Sequence, residues 1–153
     1  MKDDPMEKKI VVKIKMLEGC DDIKPLKAHH DDAAFDLKSR VEMELKPGEP
    51  HLVPTGVFME IPIGYEAQVR PRSGLAIKHA LTVLNSPGTI DAGYRGEVCV
   101  IMLNAGKNVY SVKRADRVAQ MVISKLPDVE IEYVSELADS KRGAGGFGST
   151  GKN

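Results

Sequence analysis

The sequence predicts an all-β protein, a two-layer sandwich or jelly-roll-like barrel with one short helix, and three observations carry that prediction. Short runs of apolar and β-branched residues recur at close spacing. Gly- and Pro-containing turn signals separate them, and only one stretch has helical spacing, long enough for about two turns. At 153 residues the chain has the size of one domain, which buries roughly two-thirds of its surface on folding, so one core is expected.

The first run, Ile10 to Leu17 (IVVKIKML), sets Val12, Ile14 and Met16 against Lys13 and Lys15, the alternation of a half-buried strand. Comparable runs follow in SRVEMELKP, HLVPTGVFMEIP, GYEAQVRP, GEVCVIMLN and KNVYSVKRADRVAQMVISKL, and VEIEYV is expected as the last strand. Between them lie turn signals such as Lys46-Pro47-Gly48, Pro62-Ile63-Gly64 and Asn104-Ala105-Gly106. The helix is expected in SGLAIKHAL, with Ser73 as its cap and Leu75, Ala76 and Leu81 as its apolar side. No internal repeat is present, so residues 1–140 are expected to form a single β-barrel domain and residues 141–153 a flexible glycine-rich arm.

Charge excludes some classes of partner. Lysine and arginine number 22, aspartate and glutamate also 22, for a net charge of 0. No global field draws the protein to nucleic acid or to an anionic membrane, and any polyanion must be bound locally. Cys20 and Cys99 form no C-x-x-C pair, and the opening MKDDPMEKK carries charge where a signal peptide needs an apolar run. No apolar stretch reaches the roughly 20 residues of a membrane span, so a cytoplasmic protein with reduced thiols is expected.

The tail KRGAGGFGSTGKN spaces its glycines like a phosphate loop. A Walker loop, however, places lysine and a hydroxyl at the head of a helix, and here Gly143 and Gly148 match while Ser149 stands where lysine should. The physics beneath that motif survives. Glycines let backbone N–H groups converge on an anion, and Arg142, Ser149 and Thr150 add donors suited to phosphate oxygens. Most glycine-rich termini are simply unordered, but Phe147 is one of only 3 phenylalanines in a chain with no tryptophan. Its placement makes sense if the ring covers something flat, such as a nucleobase. Both readings hold in turn if the arm orders over a bound ligand as a lid.

Two interior motifs carry donors and an acid. RPRSGLA sets Arg72, Ser73 and Gly74 at the start of the helix, where free N–H groups and the positive dipole end favour an anion. NSPGTIDAGYRGEV reads as a hairpin bearing Asp91 and Tyr94, bracketed by Gly88, Gly93 and Gly96. A carboxylate held there can orient and deprotonate a water while the tyrosine ring lies flat against a sugar; an ordinary turn with a packed tyrosine is the plainer alternative. His29 to Asp32 (HHDD) is expected as a solvated loop, because consecutive extended residues point to opposite sides and do not converge on one ion. Asp36 falls between apolar Phe35 and Leu37 and needs a partner, an arginine or the water shell of a cation. His79 suggests no role.

In this order, AAFDLKS, RPRSGLA, GTIDAGYRGEV, ADRVAQMV and RGAGGFGSTG resemble the five motifs of the trimeric deoxyuridine triphosphatases. The match spreads from Ala33 to Gly151. No single motif decides it, and the set is specific jointly. The resemblance implies a jelly-roll-like β-barrel or sandwich of the β-clip type, assembled as a homotrimer. Each active site would lie at a subunit boundary and be closed by the arm of another chain, which explains why this cradle sits on a free end rather than ahead of a helix.

By position, the resemblance makes Asp91 the general base whose water attacks the α-phosphorus of dUTP, giving dUMP and pyrophosphate. That reaction keeps uracil out of DNA and supplies dUMP for dTMP synthesis. Tyr94 resembles the ring beneath the deoxyribose that excludes a 2′-hydroxyl. The uracil edge would be read by backbone around Gly88 and Cys99, with Asn85 nearby, and Phe147 would stack on the base. Arg72, Ser73, Gly74 and Gln120 match phosphate-binding positions, and Arg142, Gly148, Ser149 and Thr150 match the arm's contacts to the terminal phosphates. Mg²⁺ is implied as cofactor, held mainly by water and triphosphate oxygens, with no direct protein ligand and with Asp36 reaching it at most through coordinated water. Ala34 and Ala115 stand where the family commonly has glycine. The rival readings are a dCTP deaminase of the same fold, for which Glu97 is the acid to test, and a regulator that binds dUTP without turning it over.

Overall fold

A computed structural model describes residues 9–147, and these fold as two four-stranded sheets, one two-stranded ribbon and one short helix. The strands are β1 (Lys13–Met16), β2 (Phe35–Lys38), β3 (Met43–Leu45), β4 (Pro50–Glu60), β5 (Tyr65–Arg70), β6 (Leu81–Val83), β7 (Gly88–Ile90), β8 (Val98–Asn104), β9 (Tyr110–Val112) and β10 (Arg117–Lys125). The helix α1 (Ser73–His79) lies between β5 and β6.

One sheet runs β1-β4-β8-β6 and the other β2-β10-β5-β7, with β3-β9 as the ribbon. All named strand pairs are antiparallel. Alternation decides which side chains enter the core. In β8, Val98, Val100 and Met102 are buried, while Cys99, Ile101 and Leu103 are only partly covered. Val53, Val57 and Met59 of β4 meet Ala67, Val69, Ala119 and Met121 of the other sheet in one continuous core. The ribbon closes one end with Leu45 and Val112. Asn104 is buried there without cost, because its amide donates to the Leu45 and Asn108 carbonyls at 2.9 and 2.8 Å and accepts from the Gly106 N–H at 2.9 Å.

The structure departs from the sequence reading at four places. VEIEYV is not a strand here: Val129, Ile131 and Tyr133 are 67, 73 and 94% exposed. Ser73 does not cap α1; Arg72 holds the cap position with extended backbone and Ser73 opens the helix. Leu81, expected on the helix, is buried in β6, since α1 ends at Ala80 with φ +54°. The stretch NSPGTIDAGYRGEV is not a hairpin, because β7 pairs with β5 while β8 pairs with β4 and β6. It is a crossing from one sheet to the other. Among the described residues, no helix is long and apolar enough to cross a membrane.

Candidate active site

The charged candidates meet on the outer face of the β2-β10-β5 sheet. Antiparallel register places Gln120 opposite both Asp36 of β2 and Arg70 of β5, so one cross-strand row carries an acid, an amide and a guanidinium. The chain leaves β5 through Pro71, whose carbonyl accepts from Gln120 Nε2 at 3.0 Å, and this brings Arg72, Ser73 and Gly74 over the row. Together with Arg117, Asp32 and Ala34 they line a cleft of about 330 Å³.

Three arginines against two aspartates give this cleft a positive balance. Asp36 is held between two of them, 3.4 Å from Arg72 Nε and 3.4 Å from Arg117 Nη1, which meets the requirement for an arginine partner. Arg72 also donates to the Arg117 carbonyl at 3.1 Å. The opening amides of α1 have no intrahelical partners, so the cleft combines fixed guanidinium forks with backbone donors, the arrangement that suits phosphate oxygens. Ala115 sits in the turn just before Arg117 with φ +72°, the left-handed region that glycine occupies most easily. The turn is kept nonetheless, by Ala115 N–H to Ser39 O at 2.8 Å and Lys113 N–H to Asp116 Oδ2 at 2.8 Å.

Asp91, Tyr94 and Cys99 line a second cleft of about 310 Å³, with Thr89, Glu97 and Ile101. The loop that bears Asp91 and Tyr94 starts where β7 ends and is turned by Tyr94 N–H donating to Asp91 O at 3.1 Å. The Tyr94 hydroxyl donates to the Glu97 carbonyl at 2.9 Å. Its ring then lies so close over Gly96 that a Cβ there would collide with the ring and hydroxyl, so a side chain at 96 would push the ring from this position. Asn85 packs against Gly88, where an added Cβ would meet Asn85 Nδ2 at 3.3 Å and Val69 Cβ at 3.4 Å. These two lie beside the second cleft rather than in its lining.

The acids at this cleft differ in their freedom. Among the described residues the Asp91 carboxylate takes part in no ion pair. Glu97 instead accepts from Arg40 Nε at 2.6 Å, from Arg40 Nη2 at 3.2 Å and from the Gly56 N–H at 2.8 Å. The Arg40 guanidinium holds its carboxyl below the usual carboxylate range. Burial, with the Glu97 charge behind it, pushes the Cys99 thiol up, so this cysteine stays protonated and inert.

The first cleft and the second have no lining residue in common. In the arm, Arg142 Nε donates to Gly145 O at 2.7 Å and the Phe147 ring is fully exposed. Gly148, Ser149 and Thr150 lie outside the described residues. His29 to Asp32 forms a local turn, with His29 N–H donating to Asp32 Oδ2 at 2.8 Å. Sequence reasoning missed Arg117 and Arg70, and also Arg40. Arg117 opens the strand that carries Gln120 and pairs with that of Asp36, and Arg70 ends the strand on the other side, a grouping that emerges only once the register is known.

The match to known proteins is broad. The family model for dUTPase covers residues 22–151. The chain belongs to the dUTPase family. It is 55% identical over 129 residues to the deoxyuridine 5′-triphosphate nucleotidohydrolase of Gloeothece citriformis, covering 84% of this chain and 89% of that one. Against the enzyme of the same name from Clostridioides difficile the identity is 54% over 140 residues, covering 92% and 97%. Among solved structures it is similar to the Staphylococcus bacteriophage 80alpha dUTPase with dUPNHPP, at a TM-score of 0.81 and 28% identity over 92% of this chain and 98% of that one. A mutant dUTPase of phage phi11 of S. aureus, whose structure details the coordination of a structural Mg(II) ion, matches at a TM-score of 0.76 and 25% identity, covering 82% and 97%. The jelly-roll β-fold expected from the strand pattern is therefore the fold of this chain.

Proposed function

We propose that this protein is a dUTP diphosphatase, hydrolysing dUTP to dUMP and pyrophosphate and so keeping uracil out of DNA while supplying dUMP. The observation that carries the reading is the dUTPase match across residues 22–151, which takes in both clefts and the arm. The deaminase alternative needs a glutamate acting on the pyrimidine ring. Glu97, the acid to test for it, has both carboxylate oxygens occupied by Arg40 and Gly56.

In this reading Asp91 takes the proton of the water that attacks the α-phosphorus, and the freedom of its carboxylate supports the assignment. Tyr94 packs under the deoxyribose, and backbone near Gly88 and Cys99, with Asn85, reads the uracil edge. Arg72, Ser73, Gly74 and Gln120 hold the phosphates, so the protein contributes chiefly position and charge neutralisation. Mg²⁺, when bound, neutralises and orients the phosphate oxygens. Among the described residues no three acids, histidines or cysteines converge as a cage. Asp36, in the lining of the phosphate-side cleft, would reach the ion through coordinated water, with triphosphate and water supplying most ligands.

The working form is a homotrimer in the cytoplasm. Two features support assembly: the sugar-side and phosphate-side clefts share no residue within one chain, and Val129, Ile131 and Tyr133 keep a strand's alternation with no strand beside them among the described residues. A site shared between subunits brings one chain's Asp91 to another's Arg72. Residues 141–153 act as the arm that closes it, with Arg142, Gly148, Ser149 and Thr150 on the terminal phosphates and Phe147 on the base.

The test is product analysis after incubating the purified protein with Mg²⁺ and, separately, dUTP, dCTP, dTTP and UTP. Formation of dUMP and pyrophosphate from dUTP alone is expected. Ammonia from dCTP would reassign the protein as a deaminase, and binding of dUTP without turnover would make it a regulator.

A further inference from the structure

The loop that carries Asp91 and Tyr94 has no strand pairing of its own between Ile90 and Val98. At its start, Ile90 is fixed opposite Ala67 of β5. Within it, Arg95 donates to the carbonyls of Ala92 at 2.7 Å and Tyr94 at 3.1 Å, and reaches Met59 O only at 3.5 Å. The firm tie at its end is Glu97.

That tie is a built arrangement. Register between β4 and β8 shifts between Pro54 and Val57, so a bulge faces the Glu97 side chain. Gly56 within the bulge has φ +72°, and a Cβ there would lie 2.9 Å from Cys20 Sγ, so only glycine lets this backbone offer its N–H to the carboxylate at 2.8 Å. Arg40 comes from the connection between β2 and β3 and is itself pinned by its N–H to Pro54 O at 2.9 Å. The pair is shielded, with side-chain exposures of 30% for Arg40 and 20% for Glu97. A half-buried, forked, charge-assisted contact of this kind resists displacement far better than an exposed ion pair. Beyond the carboxylate, the same residue's carbonyl receives the Tyr94 hydroxyl.

We propose that Arg40 is a positioning residue for dUTP hydrolysis: through Glu97 it fixes the Asp91–Tyr94 loop and thereby sets how strictly the sugar is discriminated. This rests on the diphosphatase reading of the loop. Arg40 is in the lining of neither cleft; it acts through Glu97, whose carbonyl aims the Tyr94 ring.

The experiment compares the full chain with Arg40→Met, Arg40→Lys and Tyr94→Ala variants and the Arg40→Met/Tyr94→Ala double variant, measuring kcat and KM for dUTP and UTP alongside Tm. Tyr94→Ala is expected to narrow the preference for dUTP over UTP. Arg40→Met is expected to lower kcat on dUTP by about tenfold or more, since displacements near 1 Å can cost more than that. It should narrow the dUTP-to-UTP ratio as well, and Arg40→Lys should recover part of both. In the double variant the ratio should fall no further than in Tyr94→Ala alone. A folded Arg40→Met protein with the wild-type ratio, or losses that add in full in the double variant, would overturn the proposal. If Arg40→Met does not fold, Glu97→Gln serves, because it keeps the side chain's shape; an unchanged ratio there would overturn it equally. Failure of the underlying reading looks different: the wild-type chain itself would leave dUTP intact.

Discussion

The two clefts are made of different materials. The cleft proposed for the phosphates is a set of charged side chains: register across three paired strands aligns Asp36, Arg70 and Arg117, the turn into α1 adds Arg72, and ion pairs tie Arg72 and Arg117 to Asp36. The cleft proposed for the sugar hangs on a loop that crosses between sheets, and among the described residues its Asp91 carboxylate takes part in no ion pair. Redundant charge on a paired sheet tolerates the loss of one member. A single acid on a single loop does not, so substitutions on the two sides should differ in kind: binding is graded on one side and chemistry is all-or-none on the other.

The largest effect expected lies outside both clefts. Deleting the chain from Arg142 onward should abolish turnover while the assembly stays folded, because in the proposed site the arm closes over both halves. Far-ultraviolet circular dichroism and light scattering check the fold and mass; an unfolded or monomeric product would contradict the lid. Next comes Asp91→Asn, which should cut kcat by about 10²–10⁴-fold, the usual worth of a positioned base, with dUTP binding by calorimetry largely retained. Near-normal turnover would remove Asp91 as the base and erase the contrast between the two sides.

How far the sequence foretold this contrast depends on sequence distance. The alternation around Lys13–Met16 and the apolar, turn-bounded runs of Pro50–Glu60 and Val98–Asn104 are local signals, and those strands were legible. The strands β2, β6 and β7 are three or four residues long and, unlike β1, have no flanking residues that extend a period. A glycine-punctuated stretch with apolar flanks looks the same whether its strands pair with each other or with separate sheets, so the crossing at Asp91 read as a hairpin. VEIEYV shows the opposite case: its pattern is that of a strand, but among the described residues of one chain no strand pairs with it. Asp36's need for an arginine followed from its apolar neighbours, yet which arginine required register. The Arg40–Glu97 pair spans 57 positions, and no local signal joins them.

The smallest effect tests whether the phosphate side holds strain. Ala115 precedes the strand that carries Arg117 and Gln120, and its φ of +72° is costly for a residue with a Cβ. Its N–H to Ser39 O, at 2.8 Å, and Ser39 N–H to Asp116 O, at 2.9 Å, hold the turn in that conformation. Ala115→Gly removes the Cβ penalty but gains flexibility in the unfolded chain, so the net stabilisation should be up to about 1 kcal/mol. That corresponds to a rise in Tm of roughly 2–4 °C for a domain of this size, with kcat and KM unchanged. A constant Tm would mean that the turn relaxes at no cost. A changed KM at constant kcat would mean instead that the strain is spent in placing Arg117 and Gln120, and the phosphate side would then depend on one loop much as the sugar side does.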